Sequence, residues 1–194
     1  NVVTQRVAFG PCQLLNDNVF LQLARTKRYS LGYDIARTGH LSSIYIIETD
    51  GKNHRTALNV KLHRCKFPSQ KLVVKQAFET LPYLTGAGDK TGLGRETCEN
   101  LEFEFPGRFT GVDFGIYKPH LGGKLASAIA DHRFIIPMTN NEEISYDIHG
   151  ISSKQLAARM TDAEGRNPVN PLSHCDTSWS AALAIANAED GSAN

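Results

Sequence analysis

The sequence is short of the features that mark exported, membrane-spanning and disulfide-stapled proteins. No uninterrupted apolar run approaches the roughly 20 residues needed to cross a bilayer, and the start, Asn1 to Gly10, lacks the basic, apolar and small-residue order of a signal peptide. The chain of 194 residues has 4 cysteines, and none stands in a Cys-x-x-Cys pair. These absences predict a protein away from the membrane, with free thiols, in a reducing compartment.

An excess of charge of one sign is also missing. The chain carries 21 Lys and Arg residues against 20 Asp and Glu residues, so its formal net charge is +1. It is therefore not a polycation that coats nucleic acid, and any such binding must be local. Residues 25–28 and 61–75 hold basic clusters that are either phosphate contacts or solvated faces. No Gly-x-x-x-x-Gly-Lys-Ser/Thr loop occurs, which excludes a recognisable motor site of that type.

With 41% hydrophobic residues, the chain can bury the core of one domain. Its apolar alternation predicts three consecutive antiparallel strands, the second and third joined by a turn at Asp50-Gly51. The predicted strands are Leu31–Ala36, Ser43–Thr49 and His54–His63. In the third, Asn59, Lys61 and His63 alternate with apolar residues, which indicates one wet face.

Helices and further strands are expected after this hairpin. Proline, glycine and apolar spacing place helices at 68–81, from Gly94 through Leu101, at His120–His132 and at Thr177–Asn187. Extended segments are predicted at Phe109–Ile116, Phe134–Pro137 and Ile144–Ile148, and an irregular loop at 161–173.

Three aspartates stand out in this order of elements. Asp34 lies in Gly-Tyr-Asp-Ile-Ala, Asp89 in Gly-Asp-Lys-Thr-Gly-Leu-Gly, and Asp176 in His-Cys-Asp-Thr-Ser-Trp before an Ala-rich helix. Each alone is explained by a turn, a hydrogen bond or a helix cap. Together they predict a carboxylate cluster for hard divalent cations, which prefer oxygen ligands. The chemistry expected of such a cluster is cleavage of a phosphodiester.

The residues carrying these motifs resemble the C-terminal nuclease domain of bacteriophage terminase large subunits, with the best match to Mu-like phages and prophages. The resemblance covers roughly 31–188, and Asp89-Lys90-Thr91-Gly92-Leu93-Gly94 is its most specific part. It implies an α/β fold of the ribonuclease H-like type, a mixed sheet of three antiparallel strands plus parallel strands flanked by helices. Residues 1–30 are expected to be an N-terminal extension or linker, and 189–194 a polar tail.

The resemblance further implies an endonuclease that cuts double-stranded DNA during genome packaging in the host cytoplasm. Asp34, Asp89 and Asp176 would be its catalytic residues and metal ligands, and Mg²⁺ or Mn²⁺, as two ions, its cofactor. Two such ions can stabilise the attacking and leaving oxygens of an in-line displacement. An upstream ATPase domain of the same polypeptide, the portal and the small terminase subunit are the implied protein partners.

Several neighbouring residues stay open at this level. Asp147 is the alternative third ligand, because it also ends a short apolar run. Lys90, Lys118 and His174 are candidates for contact with DNA phosphate, although solvated lysines and a loop histidine are the more common explanation. The family often has an acid near the position of His40, so a supporting contact or weak ligand is altered there.

Two other function classes remain as alternatives. A noncatalytic ribonuclease H-like module that only grips DNA or protein would retain the fold, but retention of all three acids argues against it. An Asp after an apolar strand, followed by Thr-Gly, also resembles the first phosphate loop of actin-like ATPases. That fold needs roughly twice this length, so the chain would be a fragment of it.

Overall fold

The computed structural model describes residues 4–8, 16–35, 41–136, 142–149, 168–169 and 175–191. The strands are β1 (Thr4–Ala8), β2 (Tyr29–Asp34), β3 (Leu41–Asp50), β4 (Asn53–His63), β5 (Leu84–Asp89), β6 (Phe109–Val112) and β7 (Phe134–Ile135). The helices are α1 (Phe67–Thr80), α2 (Gly94–Glu104), α3 (Phe114–Ala130), α4 (Glu142–His149) and α5 (Asp176–Gly191), and Val19–Gln22 forms a short 3₁₀ helix. None of these helices is long and apolar enough to span a membrane.

All seven strands form one mixed sheet. Its order is β1-β4-β3-β2-β5-β6, with β7 also paired to β4. β2, β3 and β4 are antiparallel neighbours, whereas β5 and β6 continue from β2 in parallel and β1 runs parallel to β4. Gly51 makes the β3–β4 turn with a φ of 62°, a conformation that glycine adopts without steric cost. The predicted antiparallel hairpin and the added parallel strands are confirmed.

Helices cover both faces of the sheet, so the core has two layers. In β3, Ile44 and Ile46 pack toward α1 and α2, whereas Tyr45 and Ile47 pack toward α3, α4 and α5. This division follows from the two-residue period of a strand, which sends successive side chains to opposite faces. The alternation that predicts one wet face for β4 therefore belongs to a strand of a sheet that is buried on both faces.

α5 packs directly against β2. A Cβ atom added to Gly32 would lie 1.7 Å from the backbone oxygen of Ser180 and 2.8 Å from the backbone nitrogen of Ala184. Any other residue at position 32 would push the helix away from the strand. The glycine in Leu-Gly-Tyr-Asp is thus required by packing, two residues before the first candidate ligand.

Several boundaries predicted from sequence are wrong. The strand expected at Phe109–Ile116 ends at Val112, since Asp113 accepts a hydrogen bond from the amide of Gly115 and caps α3, which starts before the predicted His120. The extended segment expected at Ile144–Ile148 is the helix α4. Its buried residues are spaced three and four apart, which is also the period of a helix.

The expected wet face of β4 is also wrong. Asn59 and Lys61 are fully buried beneath the helical layer. The segment before residue 31 contributes β1 and the core residue Phe20 to the domain, although it was expected to be an extension or linker. At the other end, α5 continues through Gly191 into the expected polar tail. The predicted loop at 161–173 lies outside the described residues except for 168–169.

Candidate metal centre

Asp34 and Asp89 end two neighbouring strands. β2 finishes at Asp34 and β5 finishes at Asp89, and the strands pair in parallel with Tyr33 opposite Gly88. Parallel strands in register present their carboxyl ends at one edge of a sheet. The two acids, each one residue beyond this pair, are therefore neighbours at that edge. Asp34 was expected inside a longer strand and instead forms its end.

α5 delivers the third acid to the same edge. Ser43 lies opposite Asp34 on β3, and its hydroxyl is 2.7 Å from the hydroxyl of Ser180. Further along α5, the carbonyl of Ala184 accepts a 2.7 Å hydrogen bond from Ser30, at the start of β2. The helix therefore begins at the Asp34 end of the strand, and Asp176 lies one helical turn before Ser180.

The charges of both other acids act on Asp34. Asp34 is 9% exposed and Asp176 is 8% exposed. Burial raises the pKa of Asp34 well above its ordinary value, and the negative charges of Asp176 and Asp89 raise it further, while Lys118 acts in the opposite direction. The site is thus an anionic pocket in which each added charge is costly until a cation enters.

Asp89 is oriented by the turn that follows it. Its Oδ1 accepts a 2.8 Å hydrogen bond from the amide of Thr91, and the Thr91 hydroxyl accepts a 3.0 Å hydrogen bond from the amide of Phe114. Burial raises the pKa of Asp89, and the nearby charge of Asp113 raises it, whereas the hydrogen bonds from Thr91 and the charge of Lys118 lower it. Thr91 therefore ties this acid to the start of α3.

Asp113 is a fourth acid that the sequence analysis missed. It lay inside a predicted strand, where no role could be assigned, but it stands between β6 and α3 close enough to act on Asp89. The signal that could have found it is Asp before Phe-Gly at a strand-to-helix boundary, a common capping position. Since its carboxylate accepts from Gly115 at 2.8 Å, helix capping accounts for it.

Lys118 is the predicted basic residue whose charge acts on Asp34 and Asp89. Its ammonium lies 4.4 Å from the centre of the Trp179 ring and 5.9 Å from that of Phe114. A cation over an aromatic face is attracted by the ring's quadrupole, most strongly for Trp. Trp179 is three residues after Asp176, so the platform that holds this lysine and the third acid share one turn of α5.

Of the two other predicted phosphate contacts, Lys90 lies within the described residues and His174 does not. Lys90 follows Asp89 directly and, with Asp113 and Tyr117, lines a cleft of about 600 Å³ that β6, α3 and α5 also border. Its backbone amide donates to the carbonyl of Val112 at 2.9 Å, which fixes the chain on leaving the site. His40 and His174 lie outside the described residues.

Asp147, the alternative third ligand, lies on α4 rather than at a strand end. It is 2% exposed, and its Oδ2 is 3.2 Å from the ammonium of the buried Lys61. Its charge raises the pKa of Cys175, as does that of Asp176, so it lies on the flank of the pocket. The ion pair with Lys61 gives Asp147 a structural explanation of its own.

The donor set fits a hard divalent cation by its chemistry. Carboxylate oxygens are the ligands that Mg²⁺ and Mn²⁺ prefer. Across the part of the chain that the structure describes, no group of three or more His, Cys, Asp or Glu side chains is already arranged as a metal site. The fit therefore rests on donor type and on the charges that act on Asp34.

Comparison with solved structures identifies proteins of the same fold. No protein-family model and no curated protein matches the chain. The large terminase nuclease of thermophilic phage G20c with bound magnesium is 18% identical, with a TM-score of 0.64 over 83% of this chain and 82% of that one. The Thermus phage P74-26 large terminase nuclease domain is 15% identical, with a TM-score of 0.62 over 84% and 81%.

A third solved structure covers more of the chain. The large terminase nuclease domain of bacteriophage SPP1 with bound Mn is 14% identical, with a TM-score of 0.51 over 96% of each chain. At these identities the likeness concerns the fold. The chain thus has the ribonuclease H-like fold of phage large terminase nuclease domains, as the sequence motifs predicted.

Proposed function

We propose that this chain is the nuclease domain of a phage DNA-packaging terminase, a metal-dependent endonuclease acting on double-stranded DNA. The observation that supports the proposal is that the charges of Asp176 and Asp89 both act on the buried Asp34, at the edge where β2 and β5 end. Metal-bound solved neighbours of the same fold support it. The proposal gives the three acids a catalytic role because of their positions at the ends of elements and because carboxylates bind divalent cations.

In this proposal Asp34, Asp89 and Asp176 hold Mg²⁺ or Mn²⁺, as two ions. When bound, the ions would supply an activated water and charge stabilisation for phosphodiester hydrolysis. Asp34 would bind from the end of β2, and Asp89, which Thr91 holds in orientation, would bind from the end of β5. Asp176 would complete the set from α5. Asp147, already paired with Lys61, is the less suited third ligand.

Lys118 would bind a phosphate oxygen beside the acids. A lysine ammonium offers three donors and contacts phosphate as a point charge. Stacking on Trp179 keeps this charge at the pocket while leaving the ammonium free to turn toward DNA. Such contacts read the backbone rather than the bases, so little base specificity is expected. Lys90 is a second candidate for the same task.

Plasmid cleavage tests the proposal directly. Purified protein should nick and linearise supercoiled plasmid with Mn²⁺ or Mg²⁺ and should stop when EDTA is added. Asp89→Asn should abolish cleavage, whereas Asp50→Asn is the matched control, since Asp50 is an exposed acid at the hairpin, the opposite end of the strands. Full activity of the Asp89→Asn protein would refute the assignment.

Calorimetric titration tests the pocket's electrostatics. Because neighbouring carboxylates repel one another, Mn²⁺ should bind more tightly when a DNA duplex is present to share it. Equal affinity with and without duplex would count against this part. A noncatalytic module with the same fold would bind duplex without metal-dependent cleavage, which is the outcome that would favour the alternative function.

The implied partners follow from the same proposal. An ATPase domain upstream in the polypeptide, the portal and the small terminase subunit would restrain cutting during packaging in the host cytoplasm. Comparing plasmid cleavage by this chain and by a longer protein that includes the ATPase tests the restraint. An equally active longer protein would reject it.

A further inference from the structure

A buried row of residues crosses the sheet beside the pocket. Asp34 on β2 lies opposite Ser43 on β3, which in turn lies opposite Lys61 on β4. Directly paired residues point to the same face of a sheet. Since Ser43 contacts Ser180 on α5, all three side chains face the helical layer that carries Asp176. Lys61 is therefore two strands away from the first candidate ligand.

Lys61 holds α4 onto this face. Its side chain is fully buried, and its ammonium contacts Glu143 and lies 3.2 Å from Asp147. The two acids are four residues apart and so share one side of the helix. A buried ammonium is costly unless it is paired. The ionic group formed by Lys61, Glu143 and Asp147, here named the latch, therefore fixes where α4 sits.

The latch contacts α5 through the backbone of Asp147. The hydroxyl of Ser178 donates to the backbone carbonyl of Asp147, and both residues are buried. Ser178 lies in the first turn of α5, two residues after Asp176. Cys175, just before that acid, has a φ of 63°, a left-handed conformation uncommon for residues other than glycine. The start of α5 thus needs support from its surroundings.

The opposite side of the same turn rests on the sheet. Ser180 contacts Ser43 at 2.7 Å, and Asn59 donates to the Ser43 hydroxyl at 3.2 Å. The first turns of α5 therefore contact the sheet on one side and α4 on the other. Removing either contact would let the helix start, and the carboxylate on it, shift relative to Asp34.

We propose that Lys61 is a positioning residue for Asp176: the latch seats α4, and α4 braces the first turn of α5 so that the third carboxylate meets the other two. This inference rests on the proposed function for its chemical meaning. Its physical content, the bracing of α5 by α4, stands on contacts alone. Groups that orient metal ligands typically change metal affinity or activity about 10- to 100-fold when they are lost.

Two paired variants test the latch without adding a net charge. Lys61→Met with Glu143→Gln, and Lys61→Met with Asp147→Asn, each remove the lysine and one acid. Both should raise the Mn²⁺ concentration for half-maximal plasmid cleavage by about 10- to 100-fold. Loss confined to the Asp147→Asn variant would instead make Asp147 a ligand and overturn the latch. Ser178→Ala removes one hydroxyl and should raise the same value severalfold.

The control lies at the other end of the same helix. Glu189→Gln removes contacts with Arg133 and Lys124 near the last turn of α5. It should lower the melting temperature and leave the Mn²⁺ requirement unchanged. If Glu189→Gln shifts that requirement as far as the latch variants do, support of α5 is general and the proposal fails. If the paired variants do not fold, Ser178→Ala decides alone, and a wild-type Mn²⁺ requirement in it would overturn the brace.

Hydrogen exchange separates this proposal from the proposed function. The amides of Ser178 and Ser180 should exchange faster in the latch variants than in the wild type, and faster than in Glu189→Gln. Unchanged exchange there would reject the brace whether or not the protein cleaves DNA. A wild type that shows the brace by exchange but no Mn²⁺-dependent cleavage would reject the proposed function instead.

Discussion

The two ends of α5 carry acidic residues in opposite circumstances. At the N-terminal end, Asp176 adds its charge to those of Asp34 and Asp89 in the pocket. At the C-terminal end, Glu189 contacts Arg133 and lies 3.1 Å from Lys124, and the carboxylate of Asp190 lies 2.8 Å from the same lysine. One end gathers acids, and the other matches each acid with a cation.

The pKa directions express the same contrast. Burial and neighbouring acids raise the pKa of Asp34. Burial alone would raise the pKa of Glu189, but hydrogen bonds from Arg133, Lys124 and His54 lower it below its ordinary value. The helix dipole favours anions at the first turn and cations at the last. Acids near the last turn are therefore stabilised by cations, whereas at the first turn the charge of Asp176 acts together with that of Asp89 on Asp34.

The largest expected effect comes from exchanging a carboxylate for its amide at each end. Asp176→Asn should reduce Mn²⁺-dependent cleavage by more than about 100-fold, beyond the loss typical of groups that merely support a ligand. Glu189→Gln should leave cleavage within about twofold and lower the melting temperature, because it breaks ion pairs that stabilise α5. Plasmid cleavage and thermal melting of both proteins measure the contrast.

Equal loss of cleavage in the two variants would break the comparison between the ends. It would mean that α5 matters as a whole and that Asp176 has no special role. Circular dichroism of Asp176→Asn checks that its fold is intact, so that loss of cleavage is not loss of structure.

The next largest effect is expected at Lys118, the cation that opposes the pocket's charge. Lys118→Met should reduce cleavage by about 10- to 100-fold, the worth of a hydrogen bond to a charged group. The salt dependence of duplex binding should also weaken by about one phosphate contact. Lys118→Arg keeps the charge and should retain most of the binding. Loss in Lys118→Arg as severe as in Lys118→Met would argue for a role in packing instead.

The positions of the three candidate ligands at the ends of elements were easier to predict from the sequence than the contacts around them. Asp34, Asp89 and Asp176 stand in short motifs at the ends of elements, where local pattern is informative. Lys61 was expected on a wet face because it alternates with apolar residues. Its partners, Glu143 and Asp147, lie 82 and 86 residues away. No local window contains that pairing.

The errors in secondary structure have a related cause. The eight residues of α4 form too short an apolar pattern to separate strand from helix. The segment 109–116 combines the end of a strand with the start of a helix, and Asp113 divides them by capping. Where such local signals are ambiguous, the fold is predicted from the resemblance to terminase nuclease domains.

A smaller effect is expected on stability and its pH dependence. The pKa of Asp34 is above the ordinary 3.8, mainly through burial, so the folded chain binds more protons than the unfolded chain once pH exceeds that value. The free energy of unfolding should therefore fall as pH rises from about 4 through the raised pKa. Asp34→Asn removes this pH-dependent loss of stability, so the metal-free variant should melt at a higher temperature than the metal-free wild type at neutral pH.

The measurement is thermal melting across pH with and without Mn²⁺. The expected gain for Asp34→Asn is about 2–4 °C for each kcal/mol in a chain of this size. Mn²⁺ should stabilise the wild type by mass action and have less effect on the variant. Identical pH dependence in both proteins would show that Asp34 carries no such cost.

The smallest effect is expected at Trp179, which sharpens the contrast within α5 because its ring holds the pocket's cation. Trp179→Phe keeps an aromatic side chain against Phe114 but offers a weaker face to Lys118. A loss of about 0.5–1 kcal/mol corresponds to roughly a two- to fivefold slower cleavage. The effect should vanish in the Lys118→Met background, since the ring would then have no ammonium to hold. A double-mutant cycle on cleavage rates measures this coupling, and additive effects would show that Trp179 serves the helix packing alone.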